Sequence, residues 1–379
     1  MYKIAIASDS FKGSLSSMQI ASILARAFAE YPEFAVKKIP IADGGEGTLA
    51  VLAASLEGQI IKIRTTSPLP AKKTTAEYLV FYENDKKCAI IELAQTAGLQ
   101  LIANDEKKPL LTTTYGVGEM INAALSMHCE RIYITLGGSV TCDGGIGMAQ
   151  ALGYKFAGIE DKICTGRDLN NITGISIPLA RKRLLQKTEF VMLADVTNPL
   201  FGENGAAKIY APQKGADKNA VNILENGIIN LNNTARAVFG FDAAAFEGAG
   251  AAGGAGAGGV YFLNAEIKNG ISEILRIIDF PDRIKDCDAV ITGEGKVDSQ
   301  TASGKAITGI IAEAKRQNKL TIVVAGSIEL TQSQLQQQIG ADLYFPLCHE
   351  PATLNECIEN AEVLLYRIGI TIARYLKAQ

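Results

Sequence analysis

The sequence predicts an α/β protein with two domains, one of which is a doubly wound parallel sheet. Short runs rich in Val and Ile recur along the chain, and such runs are typical of buried parallel strands. Many of these runs end in Gly, Asp or Ser, and several are followed by a pattern of helical spacing. The length of 379 residues is also more than one ordinary domain holds. These observations favour two domains, or one domain that carries a large insertion.

The composition argues against several classes of partner. A hydrophobic content of 47% and a charged content of 20% are ordinary for a globular protein with a sizeable core. The net charge is -3 and the basic residues are scattered, so no basic patch for nucleic acid is expected. No apolar stretch is long enough to span a bilayer, and the start MYKIAIASDS lacks the features of a signal peptide. We therefore expect a soluble, cytoplasmic protein with no nucleic-acid or membrane partner.

The cysteines and histidines of the sequence argue against several kinds of metal site and catalytic site. The seven cysteines include no CxxC pair, so we expect reduced and mostly packed thiols, with neither a disulfide nor a zinc framework. Only two histidines are present, which argues against a histidine-dependent triad or a multi-histidine metal site.

The first elements follow a βαβ order. The spacing predicts a strand over 4–8, a helix from about Ser16 with a serine as N-cap, and a second strand that ends near Ala42. The pattern then changes, because SPLPAKKTTAEYLVFYENDKKCAIIEL contains alternating runs around the turn-like ENDKK. That pattern predicts a β-hairpin. A helix over 117–127 and strands over 132–136 and 190–194 follow.

The α/β pattern of the start returns from about Asp288. A strand in DAVITGEG, a helix over 306–315, a strand in TIVVAGS, a Gln-rich helix, a strand in ADLYFPL and a helix over 361–375 are predicted. The simplest arrangement is one doubly wound domain made of residues 1–65 and 287–379, with a second α/β domain inserted over 66–286. An insertion of this kind predicts a cleft between the domains, where small-molecule sites are often found.

Polar residues follow the predicted strands. Ligands bind at the carboxyl edge of open α/β sheets, so these residues are the candidates for contact with a ligand. In chain order they are Asp9, Ser10 and Lys12; Asp43, Gly44, Gly45 and Glu46; Gly137, Gly138, Ser139 and Asp143; Asp195 and Asn198; Gly293, Glu294 and Asp298; Gly326 and Ser327. Carboxylates, hydroxyls, lysines and bare glycine backbone suit phosphate and Mg²⁺ better than redox or thiol chemistry.

Further anion-binding candidates lie in loops of other sequence. TTTYGVGE places Thr113 and Thr114 before a helix, APQKGAD contains Gln213 and Lys214, and TASGKA contains Lys305. Neither a GxxxxGK[ST] loop nor the HRD and DFG motifs of protein kinases are present. Phosphoryl transfer would therefore need another scaffold that supplies cations, carboxylates for Mg²⁺ and a base.

Most of these residues also have an ordinary structural interpretation. An Asp or Thr after a strand is commonly a helix cap or turn residue, and loop lysines and carboxylates are commonly exposed to solvent. Asp195 is a stronger candidate, because it directly follows the apolar run VMLA and a partly buried carboxylate needs a partner such as a cation. Asp143, next to two glycines, is similar.

The segment EGAGAAGGAGAGG has two interpretations. It contains nested GxGxxG matches, but neither match follows a strand in a βαβ unit, which argues against a dinucleotide-binding dehydrogenase. The segment is either a flexible or tightly packed Gly/Ala stretch without a ligand, or a surface of backbone N–H groups that phosphates approach closely.

Eight motifs together resemble the signature set of the type I bacterial glycerate kinases. They run in the family's order from the N-terminus to about Lys305: DSFKGS, ADGGEGT, TTTYGVGE, GGSVTCDGGIGM, ADVTNPLFGENGAA, APQKGAD, GAGAAGG and TGEGKVDSQTASGK. The resemblance implies Mg²⁺-dependent transfer of the ATP γ-phosphate to D-glycerate, with 2-phosphoglycerate the favoured product. It also implies a flavodoxin-like domain with an inserted α/β domain. Cys142 stands where the family usually has Asn, and SPLP replaces its GPLG.

The resemblance and the motifs together assign candidate roles. We expect Asp195, Asp143 and Lys214 to be catalytic, with Asp195 as general base or Mg²⁺ ligand. Contacts to substrate or nucleotide are expected from Asp9, Ser10, Lys12, Asp43, Gly44, Gly45, Glu46, Thr113, Thr114, Gly137, Gly138, Ser139, Asn198, Gln213, Gly293, Glu294, Asp298 and Lys305. The alternative is a non-catalytic protein that binds a sugar acid. The phosphorylated hydroxyl, the nucleotide-binding domain and the oligomeric state stay open.

Overall fold

A computed structural model describes residues 1–45, 47–160, 162–298, 306–348 and 353–379. Two predicted site residues, Glu46 and Lys305, lie outside these ranges. The strands within the ranges are β1 (Tyr2–Ile6), β2 (Phe34–Lys38), β3 (Gly58–Thr66), β4 (Lys73–Glu83), β5 (Lys86–Glu92), β6 (Arg131–Thr135), β7 (Lys155–Ala157), β8 (Gly174–Ser176), β9 (Glu189–Ala194), β10 (Glu266–Asn269), β11 (Ala289–Val297), β12 (Leu320–Ile328) and β13 (Leu343–Pro346).

Helices alternate with these strands over most of the chain. In the same ranges they are α1 (Ser17–Phe28), α2 (Thr48–Ser55), α3 (Ala94–Ala97), α4 (Tyr115–Ser126), α5 (Ile146–Ala151), α6 (Leu179–Leu185), α7 (Ala206–Tyr210), α8 (Lys218–Phe239), α9 (Ala251–Leu263), α10 (Gly270–Ile277), α11 (Phe280–Ile284), α12 (Ala306–Arg316), α13 (Gln332–Gln338), α14 (Leu354–Glu359) and α15 (Ala361–Lys377). None of the helices in the described part of the chain has the length and apolar character of a membrane span.

The chain divides into two compact units. Unit 1 consists of Met1–Asp43, Ala50–Ser55 and Ile271–Gln379, and unit 2 consists of Gly44–Leu49 and Leu56–Gly270. Unit 1 therefore contains both ends of the given chain. Each unit has its own main β-sheet, which confirms the predicted α/β class with parallel strands.

Unit 1 is built on a parallel sheet. Among the described residues its strand order is β2-β1-β11-β12-β13, and each neighbouring pair is parallel. Counted within the unit, this is the order 2-1-3-4-5 of flavodoxin-like folds. The order reverses between β1 and β11, and ligands bind at such a reversal in open α/β sheets.

The two faces of this sheet are covered by different helices, as the alternation of side chains along a strand requires. Ile322 and Val324 of β12 pack in one apolar cluster with residues of α1 and α15. Val323 and Ala325, the alternate residues, pack in another cluster with residues of α12 and α13. The sheet is thus doubly wound.

Several predicted boundaries in unit 1 are close to the observed ones. Ser16 caps α1 as predicted, in a capping box in which its side chain accepts from the backbone of Gln19. The predicted ends of β11 and β12 are too early, because these strands pair as far as Val297 and Ile328. The strands therefore include Glu294 in β11 and Gly326 and Ser327 in β12, which were expected in the loops that follow.

Unit 2 is built on a mixed sheet. The order in the described residues is β10-β9-β6-β5-β4-β3. The neighbouring pairs among β10, β9, β6 and β5 are parallel, whereas β4 is antiparallel to both β5 and β3. The predicted hairpin is confirmed between β4 and β5. Its turn residues Asn84 and Asp85 have φ angles of 48° and 64°, the left-handed values that a tight hairpin turn requires.

The expectation that all cysteines are reduced is wrong for one pair. Cys348 and Cys357 form a disulfide with Cα atoms 6.8 Å apart. The spacing of nine residues matches no recognised cysteine motif, so the pair could not be predicted from the sequence. The other five cysteines are free and buried, as expected.

Candidate functional site

The loop after β6 is organised around the carboxylate of Asp143, which is fully buried. Its Oδ2 atom accepts hydrogen bonds from the backbone N–H and the hydroxyl of Thr114, both at 2.8 Å, and from the N–H of Gly147 at 3.3 Å. Oδ1 accepts from the N–H of Gly145 at 3.2 Å. Burial raises the pKa of Asp143, and these donors oppose that shift. Asp143 thus joins its own loop to the start of α4.

The predicted threonines belong to the same buried arrangement. Thr113 and Thr114 are fully buried. The Thr113 hydroxyl accepts from the N–H of Tyr115 at 3.2 Å, at the start of α4. The Thr114 hydroxyl accepts from the N–H of Met148 at 2.9 Å while it donates to Asp143. In this structure both hydroxyls therefore make internal hydrogen bonds.

Lys214 is a buried cation beside the same loop. Its side chain is almost fully buried, and Nζ donates to the Ser139 hydroxyl at 2.8 Å and to the carbonyl of Thr141 at 2.7 Å. Burial lowers the pKa of Lys214 to about 8, while Cys142 and Asp143 act in the opposite direction. Lys214 therefore supports the glycine-serine loop from the protein interior, whereas the neighbouring Gln213 is exposed.

Residues 251–259 of the Gly/Ala-rich segment form the first part of α9 (Ala251–Leu263), and every residue of this helix is buried. A Cβ atom on Gly253 would lie 2.1 Å from the carbonyl oxygen of Thr141, and one on Gly258 would lie 2.5 Å from that of Gly144. The small residues therefore allow α9 to pack against the loop that carries Asp143. The structure thus shows a tightly packed stretch, and contact of its backbone with phosphate stays a prediction.

Three of the loops that were predicted to contact a ligand, because they contain glycines or carboxylates, are neighbours within unit 2. A Cβ atom on Gly137 would lie 2.4 Å from the Cα atom of Gly45, so only glycine allows this approach. A Cβ atom on Gly44 would lie 3.5 and 3.6 Å from the two carboxylate oxygens of Asp195. Asp195 is half-buried, and Gly44 has a φ of +96°. The backbone of 44–45, the loop after β6 and the carboxylate after β9 are thus neighbours.

Asn198 stabilises the loop that follows β9. Its side-chain amide donates to the carbonyl of Asn204 at 2.8 Å, and its Oδ1 atom accepts from the Tyr210 hydroxyl at 2.6 Å. The residue is half-buried. One hydrogen bond is internal to the loop between β9 and α7, and the other joins this loop to Tyr210, the last residue of α7.

Glu92 is a buried carboxylate that lies outside the sequence motifs and was not predicted as a site residue. It ends β5, is 3% exposed, and its Oε1 atom accepts from the N–H groups of Gly47 at 2.6 Å and Thr48 at 3.2 Å. The available signal was a charged residue directly after the apolar run CAII, the pattern that singled out Asp195. No Gly or Asp cluster follows Glu92, so it lacks the sequence pattern that the other candidate residues share.

Unit 1 has its own group of charged residues, at the reversal between β1 and β11. Asp9 is 8% exposed, and its Oδ1 atom accepts from the N–H of Ser10 at 2.6 Å. Burial, followed by the negative charge of Asp43, raises the pKa of Asp9 to about 7, and Glu294 adds to this rise. Lys12 is largely exposed, and its Nζ atom lies 3.4 Å from Asp43 Oδ2. A carboxyl group with such a shifted pKa is typical of functional sites.

The remaining residues predicted in unit 1 lie along β11 or just after it. Gly293 is buried and Glu294 is half-buried within the strand. Asp298 follows the strand, with its carboxylate 3.7 Å from the Lys296 ammonium. Within the described residues, no group of three or more His, Cys, Asp or Glu side chains is arranged to hold a metal ion.

The fold and these loops define an α/β protein that presents glycine backbone, buried carboxylates and lysines at the carboxyl ends of parallel strands. The model of the glycerate kinase family matches residues 4–377. The chain therefore belongs to the glycerate kinase family.

Similar proteins cover the chain almost completely. It is 37% identical to the glycerate kinase of Haemophilus influenzae and 37% identical to the glycerate 2-kinase of Escherichia coli, over 99% of this chain and 98% of each relative. Among solved structures, it is similar to the crystal structure described as glycerate kinase 2 of Salmonella typhimurium LT2. That match has a TM-score of 0.84 at 35% identity and covers 100% of this chain and 98% of the other.

Proposed function

We propose that the protein transfers the γ-phosphoryl group of ATP to a hydroxyl of D-glycerate. Family membership and the names of the relatives support glycerate as the acceptor. The relative named glycerate 2-kinase favours 2-phosphoglycerate as the product. We also propose that the enzyme acts in the cytoplasm.

The observation that carries the proposal is that, in unit 2, Gly137 closely approaches Gly45 while the preceding Gly44 adjoins the Asp195 carboxylate. Backbone without side chains lets a phosphate approach closely, and a carboxylate beside it has the chemistry to take a proton or contact a cation. Catalysis of phosphoryl transfer depends mainly on such positioning and on electrostatic stabilisation.

The residues present fit a Mg²⁺ ion that arrives with the nucleotide. Mg²⁺ is usually held by one or two carboxylates together with substrate phosphates and water, so a protein cluster of three ligands is not required. Asp195, whose carboxylate adjoins the Gly44 backbone, is the residue we propose to hold it. When bound, Mg²⁺ neutralises charge on the phosphates.

The other residues in our proposal bind and orient. Lys12, whose largely exposed side chain lies beside Asp43, is the residue that we propose to bind an anionic group such as the glycerate carboxylate. Lys214 keeps Ser139 and the Thr141 carbonyl in place and adds a fixed positive charge behind the glycine-serine loop. Asp195 is proposed as the proton acceptor for the glycerate hydroxyl if it is not the Mg²⁺ ligand.

A coupled assay of ADP release tests the proposal. We expect release of ADP from ATP that depends on both D-glycerate and Mg²⁺, with a phosphoglycerate identified by mass spectrometry and its isomer by NMR. L-glycerate serves as a matched control substrate. Binding of D-glycerate without any ADP release would instead support the alternative, a non-catalytic protein that binds a sugar acid.

A further inference from the structure

Glu92 accepts hydrogen bonds from the backbone of Gly47 and Thr48. Its Oε1 atom accepts from the N–H groups of Gly47 and Thr48, and its Oε2 atom accepts from the Gln95 side chain at 3.2 Å. Thr48 is the first residue of α2, and N–H groups at a helix start have no carbonyl partner within the helix. Glu92 supplies an acceptor for two of these N–H groups from the end of another element, β5.

The same short segment is held by further contacts on the Gly45 side. The Thr48 hydroxyl donates to the carbonyl of Gly45 at 2.8 Å, and Gly137 closely approaches the Cα atom of Gly45. Glu92 pairs with Thr135 across β5 and β6, and Thr135 precedes the loop that contains Gly137. One pair of neighbouring strand ends therefore holds Gly47 and Thr48 through a carboxylate and approaches Gly45 through a close backbone contact.

A carboxylate is well suited to this position. Hydrogen bonds from backbone N–H groups to an ionised acceptor are stronger than those to a neutral one, and the start of a helix favours negative charge. Glutamine at position 92 would keep the size and one accepting oxygen but lose the charge. Alanine would leave two N–H groups without this acceptor.

We propose that Glu92 is a positioning residue for phosphoryl transfer: it holds Gly44 and Gly45 in register with Gly137 and Asp195. This inference rests on the proposed function. Glu92 acts through Gly47 and Thr48, and through the hydrogen bond from Thr48 to Gly45, and we assign it no contact with substrate. A displacement of about 1 Å in such a site can reduce the rate about 100-fold.

Amide hydrogen exchange provides a test that does not require activity. In Glu92→Ala we expect exchange at Gly47 and Thr48 to be faster by about tenfold or more, because the acceptor is lost. Glu83→Gln is the matched control: this carboxylate ends β4 in the same sheet, beside the first residue of β5, and accepts from the Tyr133 hydroxyl at 2.7 Å. It should leave exchange at Gly47 and Thr48 unchanged. Unchanged exchange at these two amides in Glu92→Ala would overturn the inference.

Kinetics then test the positioning role. We expect Glu92→Ala to lower kcat by about 10- to 100-fold with a smaller change in the KM values, and Glu92→Gln to retain part of the lost rate. Combined with Asp195→Asn, the effects should be strongly non-additive, since both changes act on one arrangement. Additive effects, or a kcat like that of Glu83→Gln, would overturn the inference. Absence of kinase activity in the wild-type protein would instead reject the proposed function, and the exchange result would still decide whether Glu92 holds the segment.

Discussion

The Lys214 ammonium donates a hydrogen bond to the Ser139 hydroxyl at 2.8 Å, and both residues are buried. The second acceptor of Lys214 is a backbone carbonyl, that of Thr141. Lys214, which the sequence suggested as a catalytic residue in an anion-binding loop, thus lies in the protein interior and supports the glycine-serine loop.

Replacement of Lys214 by Met should therefore affect both activity and the pH dependence of stability. Folding lowers the pKa of Lys214 from 10.5 to about 8, so between these values the unfolded chain holds a proton that the folded protein has lost. The free energy of unfolding of the wild type, relative to Lys214→Met, should rise with pH from about 8 to 10.5 and be level below that window. Urea denaturation across this range measures the difference.

The activity of the same variant should fall at least about tenfold, because Ser139 and Thr141 lose their common donor. Lys208→Met is the control, since Lys208 is ion-paired with Glu203 near the surface. A difference in stability that is flat or falls between pH 8 and 10.5 would contradict the buried, proton-releasing state of Lys214.

Asp195→Asn should reduce turnover by about 100-fold or more while the protein stays folded, because the change keeps the shape and removes the charge. Steady-state kinetics at several Mg²⁺ concentrations measure the effect. Partial recovery at high Mg²⁺ would indicate a metal ligand, and a changed pH profile would indicate a base. Asp242→Asn, at an exposed carboxylate, is the control. Near-normal turnover would reject Asp195 and leave Asp143 and Asp43 as the next candidates.

Gly137→Ala should lower kcat/KM by about tenfold or more, because the new Cβ atom would lie 2.4 Å from the Cα atom of Gly45 and the two segments must separate. The overpacking should also cost about 1–3 kcal/mol of stability. Gly174→Ala is a matched control, since its Cβ atom would make an ordinary contact at 3.5 Å. Equal kinetics for both variants would show that the approach of Gly137 to Gly45 is not needed for activity.

Asp9→Asn should change the pH dependence of stability in the acidic range. Folding raises the pKa of Asp9 from 3.8 to about 7, so between these values the folded protein holds a proton that the unfolded chain has lost. The stability of the wild type relative to Asp9→Asn should fall as the pH rises from 3.8 to about 7 and be level above it. Asp105→Asn, at an exposed residue, should show no such trend. If the free energy of unfolding changed with pH in the same way for the wild type and Asp9→Asn, the result would contradict the burial of a protonated Asp9.

The sequence was most informative where local chemistry determines structure. The Ser16 cap and the hairpin at Asn84–Asp85 depend on neighbouring residues, and both were predicted. The extension of β11 and β12 past glycines depends on pairing between distant strands, so the composition of either strand alone gave the wrong end.

The site shows the same limit. The loops that contain Gly44, Gly137 and Asp195 were recognised by their glycines and carboxylates, but their contacts with one another are tertiary. The burial of Lys214 and Thr114 could not be predicted from the sequence, because the same loop sequences are compatible with exposed side chains. Glu92 lacks a motif, and the positioning role that we propose for it follows only from the N–H groups that the fold brings to it.

The packing of α9 has a practical consequence for engineering this protein. By composition, residues 247–259 look like a flexible linker, the kind of segment chosen for inserting a peptide tag, a fluorescent domain or new chain ends. In the fold, Gly253 and Gly258 have no room for even a methyl group. An insertion there would disrupt the loop around Asp143, whereas the exposed turn at Asn84–Asp85, whose backbone links only two strands, is a better location for one.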